Sequence, residues 1–274
     1  MPESVRVLSE TGRGVIGIIP ARMASTRFPG KPLRPILGMP MIGHVYLRSR
    51  LSPVLDEVYV ATCDDVIRDY IQSIGGKAIM TLKSHERASD RTSEAMLKAE
   101  DMAGRRAEIV VMIQGDEPMV TPEMIGRAVG PLLADPEVNI VNLMAEISQS
   151  EAADPNEVKV VVDMRGDAVY FSREPIPSGG KYKGGLKRFK QVCVIPFRRG
   201  ALINFNGLGQ TPLEIIESVD MLRLIENGLK VRMVAAEAAT WSVDTLQDLR
   251  KVEQAMMGDP LLARYMGKAA GARA

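Results

Sequence analysis

The sequence predicts an α/β fold built on a mostly parallel sheet, with a small mixed-strand insertion in its second half. Three observations support this. Short apolar runs rich in β-branched residues alternate with stretches of helical periodicity between Val15 and Pro118, the pattern of βαβ units with right-handed crossovers. Each early run ends in a polar loop. After Asn156 the texture changes to strand-like segments separated by Gly- and Pro-rich turns.

The first run, Val15–Pro20 (VIGIIP), reads as a buried strand, and similar runs recur at Glu57–Thr62, Lys77–Met80 and Glu108–Gln114. Helical periodicity covers about 40–50, 64–74 and 90–103. Val158–Asp163 and Ala168–Ser172, joined by Met164-Arg165-Gly166-Asp167, carry a hairpin signal. Pro175–Gly185 (PIPSGGKYKGG) is a flexible loop and a candidate lid. Gln191–Phe197 reads as a strand, Thr211–Asn227 as a helix with Pro212 in its first turn, Val231–Val234 as a late strand, and a closing helix starts near Thr245. The expected organisation is a loose tail over 1–14, one domain over 15–257 with an insertion at about 155–210, and a frayed tail over 258–274.

A chain of 274 residues with 46% apolar content can bury a substantial core. Its 35 basic and 34 acidic residues leave a net charge of +1, so no global field draws in nucleic acid or a membrane surface. Cys63 and Cys193 are the only cysteines and His44 and His85 the only histidines, too few for a disulfide framework or a zinc ribbon. No apolar run approaches the roughly 20 residues of a membrane span, and residues 1–14 lack the apolar core of a signal peptide. A cytoplasmic location is the expectation.

Ligands of open α/β sheets bind beyond the carboxyl ends of the strands, so the loops there are where chemistry is expected. The loop after the first strand, Pro20–Pro32 (PARMASTRFPGKP), gathers Arg22, Arg27 and Lys31 with Ser25, Thr26 and Gly30. Such a loop can turn N–H groups and cations onto phosphates; equally it can be a solvated basic loop. It is not a Walker A loop, because Lys31 is followed by Pro32. Gln114–Pro118 (QGDEP) offers Asp116 and Glu117, and Val243-Asp244-Thr245 a distant third carboxylate. Carboxylates together with substrate phosphates suit Mg²⁺. The competing roles are a turn for Asp116 and a helix N-cap for Asp244. His85–Glu94 (HERASDRTSE) places Ser89, Asp90 and Arg91 at a helix start, where they can cap it or face a base or ribose.

These segments resemble the 3-deoxy-manno-octulosonate (Kdo) cytidylyltransferase, or CMP-Kdo synthetase, family. Ile18–Leu33, Pro40–Val45, Gln114–Met119, Pro155–Val161, Tyr170–Arg173, Pro212–Glu214 and Val243–Leu249 carry the match, over about 15–255. The resemblance implies a Rossmann-like, nucleotide-diphospho-sugar-transferase-like fold whose insertion serves acceptor binding and dimerisation, a homodimer, and Mg²⁺-dependent transfer of CMP from CTP to an acidic acceptor. It implies catalytic roles for Arg22, Lys31, Asp116 and Asp244, the last two as metal ligands. Pro20, Ala21, Arg22, Arg27, Lys31, Thr62, Asp64, Ser89, Arg91, Gln114 and Gly115 are then nucleotide-binding. Gln114, Asn156, Lys159, Arg173, Gln191, Glu214, Glu217 and Asp220 are acceptor-binding.

The chain departs from the family in three places. Arg87-Ala88-Ser89-Asp90-Arg91 stands for Ser-Gly-Thr-Asp/Glu-Arg. Lys190–Phe197 (KQVCVIPF) replaces a stretch whose His becomes Gln191 and whose first Tyr becomes Ile195. Asp220-Met221 replaces Glu-Gln. Kdo or a Kdo-like ulosonic acid is the expected acceptor, and the lost hydrogen-bonding groups at sugar-holding positions open the alternatives of 8-amino-Kdo or a small phosphonate such as phosphonoformate. A uridylyl- or guanylyltransferase and a non-catalytic nucleotide binder are the rival readings.

Overall fold

The structure, a computed structural model, describes residues 13–24, 28–237 and 240–271, with 267–271 as backbone alone. The chain forms two compact units, one from residues up to Gly126 together with those from Thr240 onward, the other from Arg127–Ala239.

The first unit opens with β1 (Val15–Ala21), wholly buried as its apolar composition demands. A 3-10 turn at Lys31–Leu33 and the short pair β2 (Pro35–Ile36) and β3 (Met39–Pro40) lead into α1 (Met41–Arg50). Then β4 (Glu57–Thr62), α2 (Asp65–Ser73), β5 (Ala78–Met80), α3 (Ala88–Ala103) and β6 (Ile109–Ile113) alternate. These strands lie in the order β6-β1-β4-β5, all parallel. The chain therefore leaves β1 in one direction for β4 and β5 and returns on its other side for β6. Such a reversal of strand order opens a crevice at the carboxyl ends of β1 and β6. The helix α4 (Pro122–Ala134) contains the boundary between the units.

The second unit holds β7 (Val141–Ile147), α5 (Gln149–Ala152), β8 (Lys159–Val162), β9 (Ala168–Ser172), β10 (Arg188–Val192), β11 (Val194–Arg198), α6 (Arg199–Gly207), α7 (Pro212–Glu217), α8 (Met221–Glu226) and β12 (Arg232–Ala235). Its mixed sheet runs β12-β7-β10-β8-β9, with β12 parallel to β7 and the other pairs antiparallel. This unit is larger than the insertion expected at about 155–210, because β7 and β12 belong to it.

Two expected elements are divided. The strand expected over Gln191–Phe197 is two strands meeting at Cys193, and the helix expected over Thr211–Asn227 breaks at Ser218, which adopts φ 53°. A left-handed serine between two helical turns costs energy; Arg173 helps hold it, donating from Nη2 to the Ser218 carbonyl at 3.4 Å.

The chain closes in the first unit with α9 (Leu246–Met256) and α10 (Leu261–Gly271). The tail expected after residue 258 is thus helical. Tyr265, 2% exposed, bonds His44 Nδ1 at 2.8 Å, while His44 Nε2 meets the Ile36 carbonyl at 2.8 Å. Burial and the nearby Arg48 lower the His44 pKa. The neutral ring donates from Nε2, since a carbonyl only accepts, and Nδ1 accepts from the tyrosine hydroxyl.

Candidate active site

Each loop of the crevice is fixed by its own tertiary bonds. Gly30 takes φ 71°, a conformation costly for other residues, and its N–H donates to the Met23 carbonyl at 3.2 Å. That closes the loop after β1 and presents Lys31. Asp64 pins the same loop from β4 by accepting the Met23 N–H at 2.8 Å. At Gly115 a side chain would be tight: a Cβ would lie 3.0 Å from the Pro20 carbonyl oxygen and 3.1 Å from Ile42 Cδ1, so the loops would have to shift by a few tenths of an ångström.

Arg48, buried under the loop that follows Asp116, donates from Nε to Val120 O at 2.7 Å and pairs with Asp259 at 2.7 Å. Glu117, the second carboxylate of this loop, is 3% exposed and accepts from Thr240 Oγ1 at 3.1 Å. It is a brace between two loops.

The cavity so formed has a volume of about 320 Å³, within the roughly 300–1,000 Å³ range of small-molecule sites. Pro20, Ala21, Arg22, Lys31, Arg91, Gln114, Gly115 and Asp116, all expected from the sequence, line it. His85, Glu86, Arg87 and Ala88 line it as well; their only signal in the sequence was their place just before a helix. Arg27 lies outside the described residues. Thr62, Asp64 and Ser89 do not line the cavity. Thr62 and Ser89 are fully buried, and Thr62 Oγ1 accepts the Asp64 N–H at 3.1 Å. Thr62 and Asp64 shape the loops, while Ser89 is buried in the first turn of α3.

At one end of the cavity Lys31 Nζ donates to Asp116 Oδ2 at 2.7 Å and to Asp244 Oδ1 at 3.0 Å. The two aspartates are brought together by the backbone bond from Val243 N–H to Asp116 O, 3.0 Å, and by the apolar cluster of Phe28, Ile36, Met41, Val243, Leu249, Val252 and Met256 that seats α9. Burial disfavours the charge on Lys31, but the two carboxylates outweigh it and raise its pKa.

Asp244 does not cap α9. Thr245 does, through a capping box with Asp248. Asp116 Oδ1 is buried without a hydrogen-bond partner, an acceptor that a hard cation would satisfy. Among the described residues no group of three His, Cys, Asp or Glu side chains forms a metal cage. Two adjacent carboxylates with one unsatisfied oxygen fit Mg²⁺, which takes one or two carboxylates and completes its shell with substrate phosphates and water.

Arg91, also in the lining, is 2% exposed; its Nη1 donates to Thr81 Oγ1, and its Nη2 is buried without a partner. His85 is held by Glu94 at 2.5 Å. Burial alone would raise the Glu94 carboxyl, but bonds from Lys98, the Leu82 N–H and His85 bring its pKa down to about 2. A carboxylate depressed in the folded state stabilises above its unfolded value and loses that contribution as pH falls. Glu94→Gln is therefore expected to flatten the loss of stability between pH 4.5 and about 2, as measured by urea unfolding across that window.

The acceptor set, apart from Gln114, lies in the second unit and is largely engaged in holding it together. Lys159, 0% exposed, donates to the carbonyls of Asp154, Glu157 and Arg173. Burial lowers its pKa, yet three carbonyl acceptors require the three N–H donors of the ammonium form. Arg173 spends Nε on Glu217 O and Nη1 on Pro155 O. Glu217 accepts from Ser172 Oγ and the Arg173 N–H. Glu214 is fully buried and paired with Arg223 at 2.6 Å. Gln191 donates to Asn142 Oδ1 at 2.6 Å. Asn156 bonds Asp154, and Asp220 is the N-cap residue of α8. Ile195 and Met221, at positions where the family resemblance places the sugar, are core residues. Lys159, Arg173, Glu214 and Glu217 thus each bond neighbouring segments of the second unit.

A parallel α/β sheet whose switch-point crevice brings a lysine-bearing loop into contact with two carboxylates has the architecture of a nucleotidyltransferase. A profile of the cytidylyltransferase family matches residues 16–232. The 3-deoxy-manno-octulosonate cytidylyltransferase of Geobacter metallireducens is 40% identical over 249 residues, covering 87% of this chain and 96% of the relative. That of Escherichia coli is 41% identical over 239 residues, covering 87% and 94%. A solved CMP:2-keto-3-deoxy-manno-octonic acid synthetase complexed with CTP superposes with a TM-score of 0.81 at 41% identity, covering 89% of this chain and 98% of that one. This chain belongs to the 3-deoxy-manno-octulosonate cytidylyltransferase family. No helix among the described residues is long and apolar enough to cross a membrane.

Proposed function

We propose that this enzyme transfers CMP from CTP to 3-deoxy-manno-octulosonate and releases pyrophosphate. The observation that carries the proposal is the convergence of Lys31, Asp116 and Asp244 at the mouth of β1 and β6, in a chain of this family. The acceptor hydroxyl attacks the α-phosphorus as the bond to the β-phosphate breaks. The protein's task is positioning and charge neutralisation, with no protein nucleophile. Arg22 and Lys31 line the cavity where the triphosphate would lie, and their charges match the negative charge developing on the leaving pyrophosphate. Asp116 and Asp244 would hold Mg²⁺, which supplies Lewis-acid neutralisation of the phosphates.

Arg91 Nη2 is suited to a carbonyl oxygen of the base, because a buried guanidinium N–H without a partner gains a charge-assisted hydrogen bond there. Arg91→Met is expected to raise the Kd for CTP roughly tenfold, measured by calorimetry. A homodimer is proposed from the same family membership, and light scattering at about twice the mass of one chain checks it.

The deciding experiment is pyrophosphate release from CTP and Mg²⁺ with 3-deoxy-manno-octulosonate, its 8-amino derivative, sialic acid and phosphonoformate as acceptors. Turnover with the first is expected. Turnover with another acid alone would overturn the substrate, and none with any acid would overturn the activity.

A further inference from the structure

We propose that Lys31 is a resident counter-ion whose ammonium occupies the divalent-cation position between Asp116 and Asp244, so that a metal binds this enzyme tightly only together with nucleotide. The proposal rests on the assignment of those two aspartates as metal ligands and goes beyond it to the order in which ligands are taken up.

One nitrogen touches both carboxylates, at 2.7 and 3.0 Å, and all three side chains are largely buried, at 12%, 21% and 17% exposure. A magnesium ion draws its oxygens to about 2.0–2.1 Å. An ammonium already in contact with both carboxylates stands in that space and repels a second cation. The two therefore compete for the same pair of anions.

The backbone that carries Lys31 is fixed. Leu33 N–H donates to Gly30 O at 3.0 Å, and Arg34 N–H to Lys31 O at 3.1 Å. The competitor can leave only by rotation of its own stem, a four-carbon chain ending in a compact charge. Lys31 also lines the nucleotide cavity beside Arg22. A triphosphate entering there offers the ammonium oxygen acceptors to replace the carboxylates, and the carboxylates are then open to the metal. Asp116 Oδ1, buried and without a partner, is an acceptor the ammonium leaves unused and a metal can take.

Nucleotide and metal thus each favour the other's binding, as linkage requires of any pair that shares a displaced group. Without ligands, the Lys31 ammonium offsets one of the two negative charges that Asp116 and Asp244 bring together.

The test titrates the protein with Mn²⁺ as the probe, read by electron paramagnetic resonance of the free ion, without turnover. The nucleotide-free wild type is expected to bind Mn²⁺ weakly, and a non-hydrolysable CTP analogue to tighten binding by about a hundredfold. Lys31→Ala and the bulkier Lys31→Met are each expected to tighten nucleotide-free binding by about tenfold or more. Lys31→Arg, which keeps the charge, is expected to give little gain. Asp116→Asn added to Lys31→Met should remove the gain, which places the ion at this site.

Tight Mn²⁺ binding by the nucleotide-free wild type would overturn the proposal whether or not any variant folds. So would folded Lys31→Ala and Lys31→Met proteins with unchanged Mn²⁺ affinity. Wild-type turnover with CTP and an acid acceptor is a separate observable, so the cytidylyltransferase reading and the counter-ion proposal can fail independently.

Discussion

Asp116→Asn and Asp244→Asn are each expected to reduce the rate of pyrophosphate release by at least about a hundredfold, the scale on which lost charge at a metal-assisted phosphoryl site is felt. Each substitution keeps the side chain's shape and removes one negative charge. Lys31 retains the other aspartate as partner, since it bonds both at 2.7 and 3.0 Å, so the loops stay in register and the melting temperature should change little. The backbone bond from Val243 to Asp116 does not involve the carboxylate, which further separates folding from chemistry. Added Mg²⁺ should recover part of the activity in each single variant and none in the double variant. Near-normal turnover by either single variant at ordinary Mg²⁺ would remove that aspartate from the metal set.

The first unit was legible in the sequence because its information is local. An apolar run as short and β-branched as Val15–Pro20 reads as a buried strand, and the Gly-, Arg- and Lys-bearing loop after it then sits at the strand's carboxyl end. Strand-end position pointed to these loops, and the family resemblance singled out Pro20, Ala21, Arg22, Lys31, Gln114, Gly115 and Asp116, which line the cavity. Asp244 was ambiguous with a helix cap until Thr245 and Asp248 were seen to close their own capping box.

The second unit was less legible because its decisive contacts are long in sequence and made by side chains that look functional. A lysine, an arginine and two glutamates in strongly matching motifs suit an acid-binding pocket as well as a scaffold. Only the fold shows Lys159 capped by three carbonyls and Glu217 gripping Ser172 and Arg173. The division of the expected helix at Ser218 escaped for a similar reason: a positive φ at serine has no signature in hydrophobic periodicity, and nothing local in Glu217-Ser218-Val219 demands it.

Glu214→Ala is expected to destabilise the protein by about 3–5 kcal/mol, the cost of stranding one member of a buried ion pair, and to do so without a selective effect on acceptor affinity. The Glu214 carboxylate is fully buried and takes both prongs of Arg223, Nε to Oε2 at 2.8 Å and Nη2 to Oε1 at 2.6 Å. The guanidinium also donates to Leu208 O at 3.2 Å and lies over the Phe205 ring at 4.9 Å. The same carboxylate accepts the Thr211 N–H at 3.3 Å at the start of α7. Its removal therefore leaves a charge buried among carbonyls and an aromatic ring, and frees the first turn of a six-residue helix.

The double variant Glu214→Leu/Arg223→Met separates charge from packing. Paired replacement by apolar groups of similar volume is commonly neutral or better, because neither charge then has to be desolvated, so the double variant should be more stable in urea than either single one. If Glu214→Ala instead melts like the wild type while raising the KM for the acceptor alone, Glu214 belongs to the substrate. The buried pair would then have to open during the catalytic cycle, with Arg223 held meanwhile by Leu208 and Phe205.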